Sequence, residues 1–307
     1  MNKDLRIVFM GTPEFAVPSL EILVENGWSV VAVITAPDKP QGRGQKFIPS
    51  PIKETALKNG IPVLQPTNLK SPEFIDELKR YQADIQVVVA FRMLPEVVWN
   101  MPRLGTFNLH ASLLPDYRGA APINWAIING ETETGVTTFF LKHEIDTGSI
   151  IFQEKEPIYP EDNAGTLYQR LMTKGASLVL KTLEAVANQE IDPKPQEEQK
   201  ITPHAPKIYK ETCEIDWNKP AEEIHNHVRG LSPYPAAWTQ FQGKMCKVFK
   251  TEVSNKIHAN LNPGEFLSDG RTNLVFQTGK GSIKILELQL EGKKRMGIQE
   301  FLRGNKI

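Results

Sequence analysis

Asn108 and His110 stand two residues apart at the end of a short strand-like stretch whose neighbouring segments are apolar. Side chains alternate faces along a strand, so these two point the same way. A polar pair on one face of such a strand is either hydrogen-bonded within the core or lines a site. Farther on, Glu144-Ile145-Asp146-Thr147-Gly148 reads as a tight polar turn between two strands. A carboxylate there can reach a histidine on a neighbouring strand. An amide, an imidazole and a carboxylate together suit acyl transfer. The amide donates to a developing oxyanion, the imidazole shuttles protons and the carboxylate orients the imidazole. Arg118-Gly119 leads into a helical stretch, whose first backbone N–H groups favour an anion.

A second segment with chemical character is Pro37-Asp38-Lys39-Pro40-Gln41-Gly42-Arg43-Gly44-Gln45-Lys46. Two glycines, two prolines and three cations make it an exposed, mobile, basic loop. It follows a strand at the end where parallel sheets place their ligands. A solvated loop of no function is the bland alternative.

Other chemistries lack their signatures. Gly11-Thr12-Pro13-Glu14-Phe15 is not a dinucleotide fingerprint, and no phosphate-binding loop of the G-x-x-x-x-G-K-[ST] type occurs. His225 and His227 lack helical i, i+4 metal spacing and an obvious third ligand, so no metal is expected. Cys213 and Cys246 are too few for a disulfide framework and read as unpaired thiols of a reducing compartment. No apolar run reaches membrane-spanning length. The first residues, Met1 to Arg6, lead straight into a strand without a signal-peptide pattern. A cytoplasmic monomer is expected.

Positioning these groups requires a framework, and the pattern supplies one. Strand-like runs at 5–11, 29–35, 62–65, 85–90, 106–109, 136–141 and 149–153 alternate with helical spacing at 13–26, 51–59, 71–80, 120–129 and 163–188. Such alternation means parallel βα units in an open twisted sheet. Residues 1–188 form that domain. Residues 189–207, dominated by Gln, Glu, Lys and Pro, read as a polar linker. Residues 208–307 show a short helix and then β-like runs between Gly, Asn and Asp turns, the pattern of a small OB-like barrel suited to RNA. The chain is neutral, with 36 basic and 36 acidic residues. Residues 208–307 nevertheless hold 15 basic against 11 acidic side chains, and the rest 21 against 25. An electropositive C-terminal part attached to an acidic N-terminal part suits a polyanion, although domains with no nucleic-acid role also reach +4.

At the chemical residues the chain resembles a known family. Asn108-x-His110, then Ser112-Leu113-Leu114-Pro115-x-Tyr117-Arg118-Gly119, with Asp146-x-Gly148 downstream, is similar to the 10-formyltetrahydrofolate-dependent formyltransferases. Gly11-Thr12-Pro13-Glu14-Phe15, Pro37-Asp38-Lys39-Pro40 with Gly42-Arg43-Gly44, Ala120-Ala121-Pro122-Ile123 and Gly230-Leu231-Ser232-Pro233-Tyr234-Pro235 resemble the members that act on methionyl-tRNA. The resemblance implies a Rossmann-like catalytic domain, an OB-like barrel that helps hold tRNA, and 10-formyltetrahydrofolate as co-substrate, without metal or nucleotide cofactor. It implies catalytic roles for Asn108, His110 and Asp146, folate contacts along Ser112, Leu113, Leu114 and Pro115, and initiator-tRNA contacts from Lys39, Arg43 and Lys46. One departure falls at Ala90-Phe91-Arg92, where the family usually has Ala-Tyr-Gly and where Arg92 adds a charge near the folate pocket. Ala236 stands where Gly is common. Glycinamide-ribonucleotide and nucleotide-sugar formyltransferases or a formylfolate hydrolase keep the same triad, and a silent RNA-binding relative keeps the fold. The basic loop and the C-terminal region favour tRNA among these.

Overall fold

Ile7-Val8-Phe9-Met10-Gly11 carries no polar side chain, and every residue of it is buried. Only a strand covered on both faces suits such a run. In the computed structural model, which describes residues 3–41, 46–197 and 202–305, it is the central strand of a large sheet. The strands of the first two hundred residues are β1 (Ile7–Gly11), β2 (Val30–Ile34), β3 (Lys39–Gln41), β4 (Lys46–Ile48), β5 (Val63–Leu64), β6 (Ile85–Val89), β7 (Thr106–His110), β8 (Arg118–Gly119), β9 (Glu133–Phe140) and β10 (Ile150–Pro157). After them come β11 (His204–Ala205), β12 (Ala237–Phe241), β13 (Lys244–Ser254), β14 (Phe266–Ser268), β15 (Leu274–Gln277), β16 (Ser282–Leu290) and β17 (Met296–Gly297). The helices are α1 (Val17–Glu25), α2 (Pro51–Lys58), α3 (Pro72–Arg80), α4 (Glu96–Trp99), α5 (Pro122–Ile128), α6 (Ala164–Ala187), α7 (Ala221–Leu231) and α8 (Ile298–Gly304).

The chain divides into two compact units that do not follow its order. One comprises Met1–Arg118, Gly135–Glu156 and Tyr168–Pro203, and the other Gly119–Thr134, Pro157–Leu167 and His204–Ile307. The reason is local packing. Within the second unit, Asn124 Nδ2 on α5 donates to the Gly230 carbonyl of α7 at 2.7 Å, and Arg229 donates to the carbonyls of Tyr159 and Asp162. A boundary drawn at residue 188 therefore separates segments that pack together.

In the first unit the sheet order is β10-β9-β7-β6-β1-β2-β5. β5, β2, β1, β6 and β7 run parallel, and β9 joins β7 antiparallel. The crevice where strand order reverses, between β1 and β6, is where such sheets bind ligands. Val8 and Met10 face Phe74, Leu78, Leu94 and Val98 of α3, α4 and the loop before α4. Ile7 and Phe9 fill the other face and are fully buried. Each such side chain is worth about 1.5–3 kcal/mol of burial. Two of the helices, α2 and α3, start at a serine that caps them. Ser50 accepts the Lys53 N–H and Ser71 the Phe74 N–H, each followed by Pro at the first helical position.

Two expectations change. The basic segment after β2 contains an antiparallel ribbon, with Lys39 opposite Ile48 and Gln41 opposite Lys46. Residues 189–197 are not free chain, because Lys194 exchanges backbone hydrogen bonds with Ile150 at 2.8 and 2.9 Å. In the second unit the antiparallel sheet runs β12-β13-β16-β15-β14, with β17 on β16. This antiparallel sheet is the β-rich C-terminal part expected, and among the described residues it does not close into a full barrel. Among the described residues β14 is three residues long and pairs with β15, leaving its other edge outside the sheet path. Phe241, Phe276 and Phe301 fill its core. Cys213 and Cys246 are buried and unpaired, and burial pushes the Cys246 thiol up to about 12. No helix among the described residues is long and apolar enough to cross a membrane.

Glu156 supplies a test of the first unit's stability. It is buried, and Arg170 Nε donates to it at 2.6 Å while Lys174 Nζ lies 3.1 Å away. Burial alone raises its carboxyl, but the two cations outweigh it and hold the group below the usual carboxylate range. A depressed folded-state value stabilises above the unfolded value of about 4.3 and loses that contribution as pH falls through the folded one. Glu156→Gln should therefore cost about 1–3 kcal/mol near pH 7. Urea midpoints of the two proteins should converge as pH drops below about 4.

Candidate active site

β7 ends at His110 and its neighbour β6 at Val89. Asn108 pairs in register with Val88, so its side chain shares the sheet face that Val88, Leu94 and Val98 make apolar. Its Oδ1 is buried without a hydrogen-bond partner. Rotation of an amide exchanges its acceptor and donor ends, so this position can offer either to a reacting atom. An unmade hydrogen bond in such a place costs about 1–3 kcal/mol. A ligand that completes it recovers that energy.

His110 is buried and gripped on both ring nitrogens. Nε2 lies 2.9 Å from the Tyr117 carbonyl. A carbonyl only accepts, so the proton sits on Nε2. Nδ1 faces Asp146 Oδ2 at 3.9 Å, beyond a direct hydrogen bond but within the range of a charge pair. Asp146 and His110 side chains are 12% and 8% exposed, which removes most screening by water.

The turn that carries Asp146 is held by shape and by side chains. Asp146 itself adopts φ +56. A Cβ on Gly148 would fall 1.5 Å from the Phe140 carbonyl oxygen, so only glycine fits there. Gln196 Nε2 donates to the carbonyls of Asp146 and Gly148 at 2.7 and 2.9 Å. Its Oε1 accepts from Arg118 Nε at 3.0 Å. Arg118 thus braces the turn through Gln196, and the backbone N–H groups of Ala120 and Ala121 donate to the Ala205 carbonyl.

Ser112 to Pro115 form a loop fastened to β9 and β10. Ser112 is fully buried, and its hydroxyl donates to the Asp116 carbonyl at 2.6 Å. Thr137 Oγ1 donates to the Ser112 carbonyl and accepts the Leu114 N–H, while Gln153 Nε2 donates to the Leu114 carbonyl. Leu114 is buried as well, so Leu113 and Pro115 are the half-buried members of the four. Arg92 donates through Nη1 to the Thr67 carbonyl at 2.9 Å and through Nη2 to that of Pro66. Lys39 is exposed on β3 and Lys46 lies on β4, whereas Arg43 falls outside the described residues. Among the described residues no group of three or more His, Cys, Asp or Glu side chains is arranged to hold a metal ion.

Sequence reasoning did not find Tyr117, Thr137, Gln153 or Gln196. Tyr117 acts through its carbonyl, which no residue type announces. Thr137 becomes a neighbour only once β9 pairs with β7, opposite His110. Gln196 sits in a stretch whose composition reads as linker. Its role predicts that Gln196→Ala loosens the Asp146 turn and slows acyl transfer. Displacement by about 1 Å costs up to about a hundredfold in kcat. Steady-state rates should show this loss while the thermal midpoint stays close to that of the parent.

Comparisons with known proteins bear on the family of the chain. Residues 5–183 match the family described as formyl transferase, and residues 207–306 match the formyl transferase C-terminal domain. The chain is 54% identical over 311 residues to a methionyl-tRNA formyltransferase of Bacteroides fragilis, covering 99% of this chain and 96% of the relative. It is 56% identical over 314 residues to a methionyl-tRNA formyltransferase of Phocaeicola vulgatus, with 99% and 96% covered. Among solved structures, WlaRD, a sugar 3N-formyl transferase determined in the presence of dTDP and 5-N-formyl-THF, superposes with a TM-score of 0.69 at 22% identity, over 94% of this chain and 99% of that one. The last likeness speaks for the fold and the first two for descent. The two family models together span most of the chain and the relatives match it over nearly its whole length, so the chain belongs to the formyl transferase family.

Proposed function

We propose that this enzyme transfers the formyl group of 10-formyltetrahydrofolate to the α-amine of methionine on initiator methionyl-tRNA, in the cytoplasm, in support of translation initiation. The observation that supports the reading is the pairing of His110 Nδ1 with the Asp146 carboxylate at 3.9 Å, with Asn108 two residues before His110 on the same strand carrying a buried Oδ1 that makes no hydrogen bond. The relatives named for that reaction, more than half identical along nearly the whole chain, support the choice of substrate.

The chemistry follows from the groups present. The neutral α-amine attacks the formyl carbon, and a new C–N bond forms as the carbonyl electrons move to oxygen. Asn108 stabilises that oxyanion by donating its amide hydrogen, and His110 adds a second donor once its Nδ1 has taken the proton of the attacking amine. The bond from the formyl carbon to folate N10 then breaks. The amine gives up one proton and N10 gains one, with His110 as the relay. Asp146 holds the imidazole and counters the charge it acquires. Leu113 and Pro115 offer apolar surface to the folate ring, while Ser112 and Leu114 serve by shaping the loop. On the tRNA side, Lys39, Arg43 and Lys46 of the ribbon meet the acceptor stem, and the basic C-terminal segment adds attraction that weakens with salt.

Two substitutions test this scheme. Asn108→Ala should lower kcat for formylation of initiator methionyl-tRNA by about 10²–10³ while leaving formylfolate affinity nearly intact. A variant within tenfold of the parent would remove Asn108 from the mechanism. Asp146→Asn should be nearly as damaging as Asp146→Ala, because a neutral amide does not stabilise an imidazolium. Single-turnover formylation rates for the two variants should agree, and a fast Asp146→Asn enzyme would rule out a charge role.

A further inference from the structure

After β2 come β3 (Lys39–Gln41) and β4 (Lys46–Ile48), and the chain then enters α2. The two strands form a two-stranded ribbon of their own, each three residues long. A ribbon this short is marginal by itself, so its direction depends on its root. The root is closed by side chains. Thr35 Oγ1 lies 2.8 Å from Ser50 Oγ, and Lys53 Nζ donates to Asp38 Oδ2 at 2.6 Å. The other carboxylate oxygen, Asp38 Oδ1, accepts from Gln65 Nε2 at 2.8 Å, and the same amide nitrogen donates to the Ala36 carbonyl at 2.9 Å.

Gln65 directly follows β5, and the next two residues, Pro66 and Thr67, present their carbonyls to Arg92. Arg92 lies on the loop after β6, two residues beyond Ala90, which adopts φ +47. One run of contacts therefore crosses the carboxyl ends of three parallel strands, from Arg92 through Pro66 and Thr67 to Gln65, Asp38 and Lys53. Its centre is shielded, with the Lys53 and Asp38 side chains 20% and 26% exposed. Hydrogen bonds from Lys53 and Gln65 hold the Asp38 carboxyl below the usual range, so it is ionised at neutral pH. The seven-stranded sheet has its own core and does not need this run. The ribbon does.

We propose that Asp38, Gln65 and Arg92 are positioning residues for tRNA, fixing the root of the ribbon so that its cations meet the acceptor stem; this rests on reading the ribbon as a tRNA contact. None of the three touches a reacting atom. Asp38 sets the exit of the ribbon from β2, Gln65 ties it to β5, and Arg92 pins the backbone that carries Gln65. The charge that departs from the family pattern at Arg92 thus belongs to the same brace rather than to the folate.

The test is kcat/KM for initiator methionyl-tRNA with Asp38→Asn, Gln65→Met and Arg92→Met, each alone and in the Arg43→Ala background. KM for 10-formyltetrahydrofolate and the thermal midpoint are measured alongside. Each single variant should lose about tenfold through a higher KM for tRNA, since each loses hydrogen bonds that involve a charged group. KM for 10-formyltetrahydrofolate should stay at the parent value. In the Arg43→Ala background the same substitutions should cost far less, because a ribbon without its contact gains nothing from correct placement. If Arg43→Ala impairs formylation but the root variants do not, or if their losses add in full, the brace is structural only and the inference falls while the tRNA reading stands. If Arg43→Ala formylates the tRNA as well as the parent does, the tRNA reading of the ribbon fails and takes the inference with it.

Discussion

The His110 imidazole is held at Nε2 by the Tyr117 carbonyl and faced at Nδ1 by the Asp146 carboxylate. Each half of this grip comes from a different part of the first unit. Tyr117 belongs to the loop that follows β7, and Asp146 to the connection between β9 and β10. Neither anchor lies on the strand that carries His110, so the ring is oriented only when both connections are in place. Much of the surrounding hydrogen bonding serves that condition. Thr137 and Gln153 fasten the loop between Ser112 and Pro115, and Gln196 with Arg118 fastens the Asp146 turn.

A polar cluster of this kind is costly to bury, and the sheet makes it tolerable. The first unit has a large apolar core packed on its sheet, and together with local partners such as the Tyr117 carbonyl it offsets the desolvation of the site's polar groups. Low exposure also strengthens every charge contact inside the site. The same burial that makes the Asn108 oxygen expensive to leave unpaired makes a ligand there more strongly bound. Fold stability and site chemistry thus draw on one arrangement, the parallel strands whose carboxyl ends form the crevice.

Two departures from the sequence expectation share a cause. Gly, Pro and Lys mark the basic segment and predict a loop, yet Lys39–Gln41 and Lys46–Ile48 pair as strands. The polar stretch at 189–197 predicts a linker, yet Lys194 pairs with Ile150 and Gln196 completes the Asp146 turn. Composition reports solubility and local freedom. It does not report which backbone groups a distant segment leaves without partners.

What the sequence by itself determined is the periodic part and the chemical part. Apolar runs of strand length separated by helical spacing specify parallel βα units, because a strand buried on both faces is predominantly apolar. The two-residue spacing of Asn108 and His110 on such a strand places both on one face through strand periodicity alone. Only the tertiary structure decided that Asp146 comes to Nδ1, that Tyr117 takes Nε2, that Gln196 steadies the turn and that Arg92 braces loops beyond β5 and β6. Those contacts join residues far apart in the chain, most of them through backbone carbonyls. Every residue carries a carbonyl, so no residue type marks one that will be used. Its partner is selected by strand pairing and by the space the core leaves.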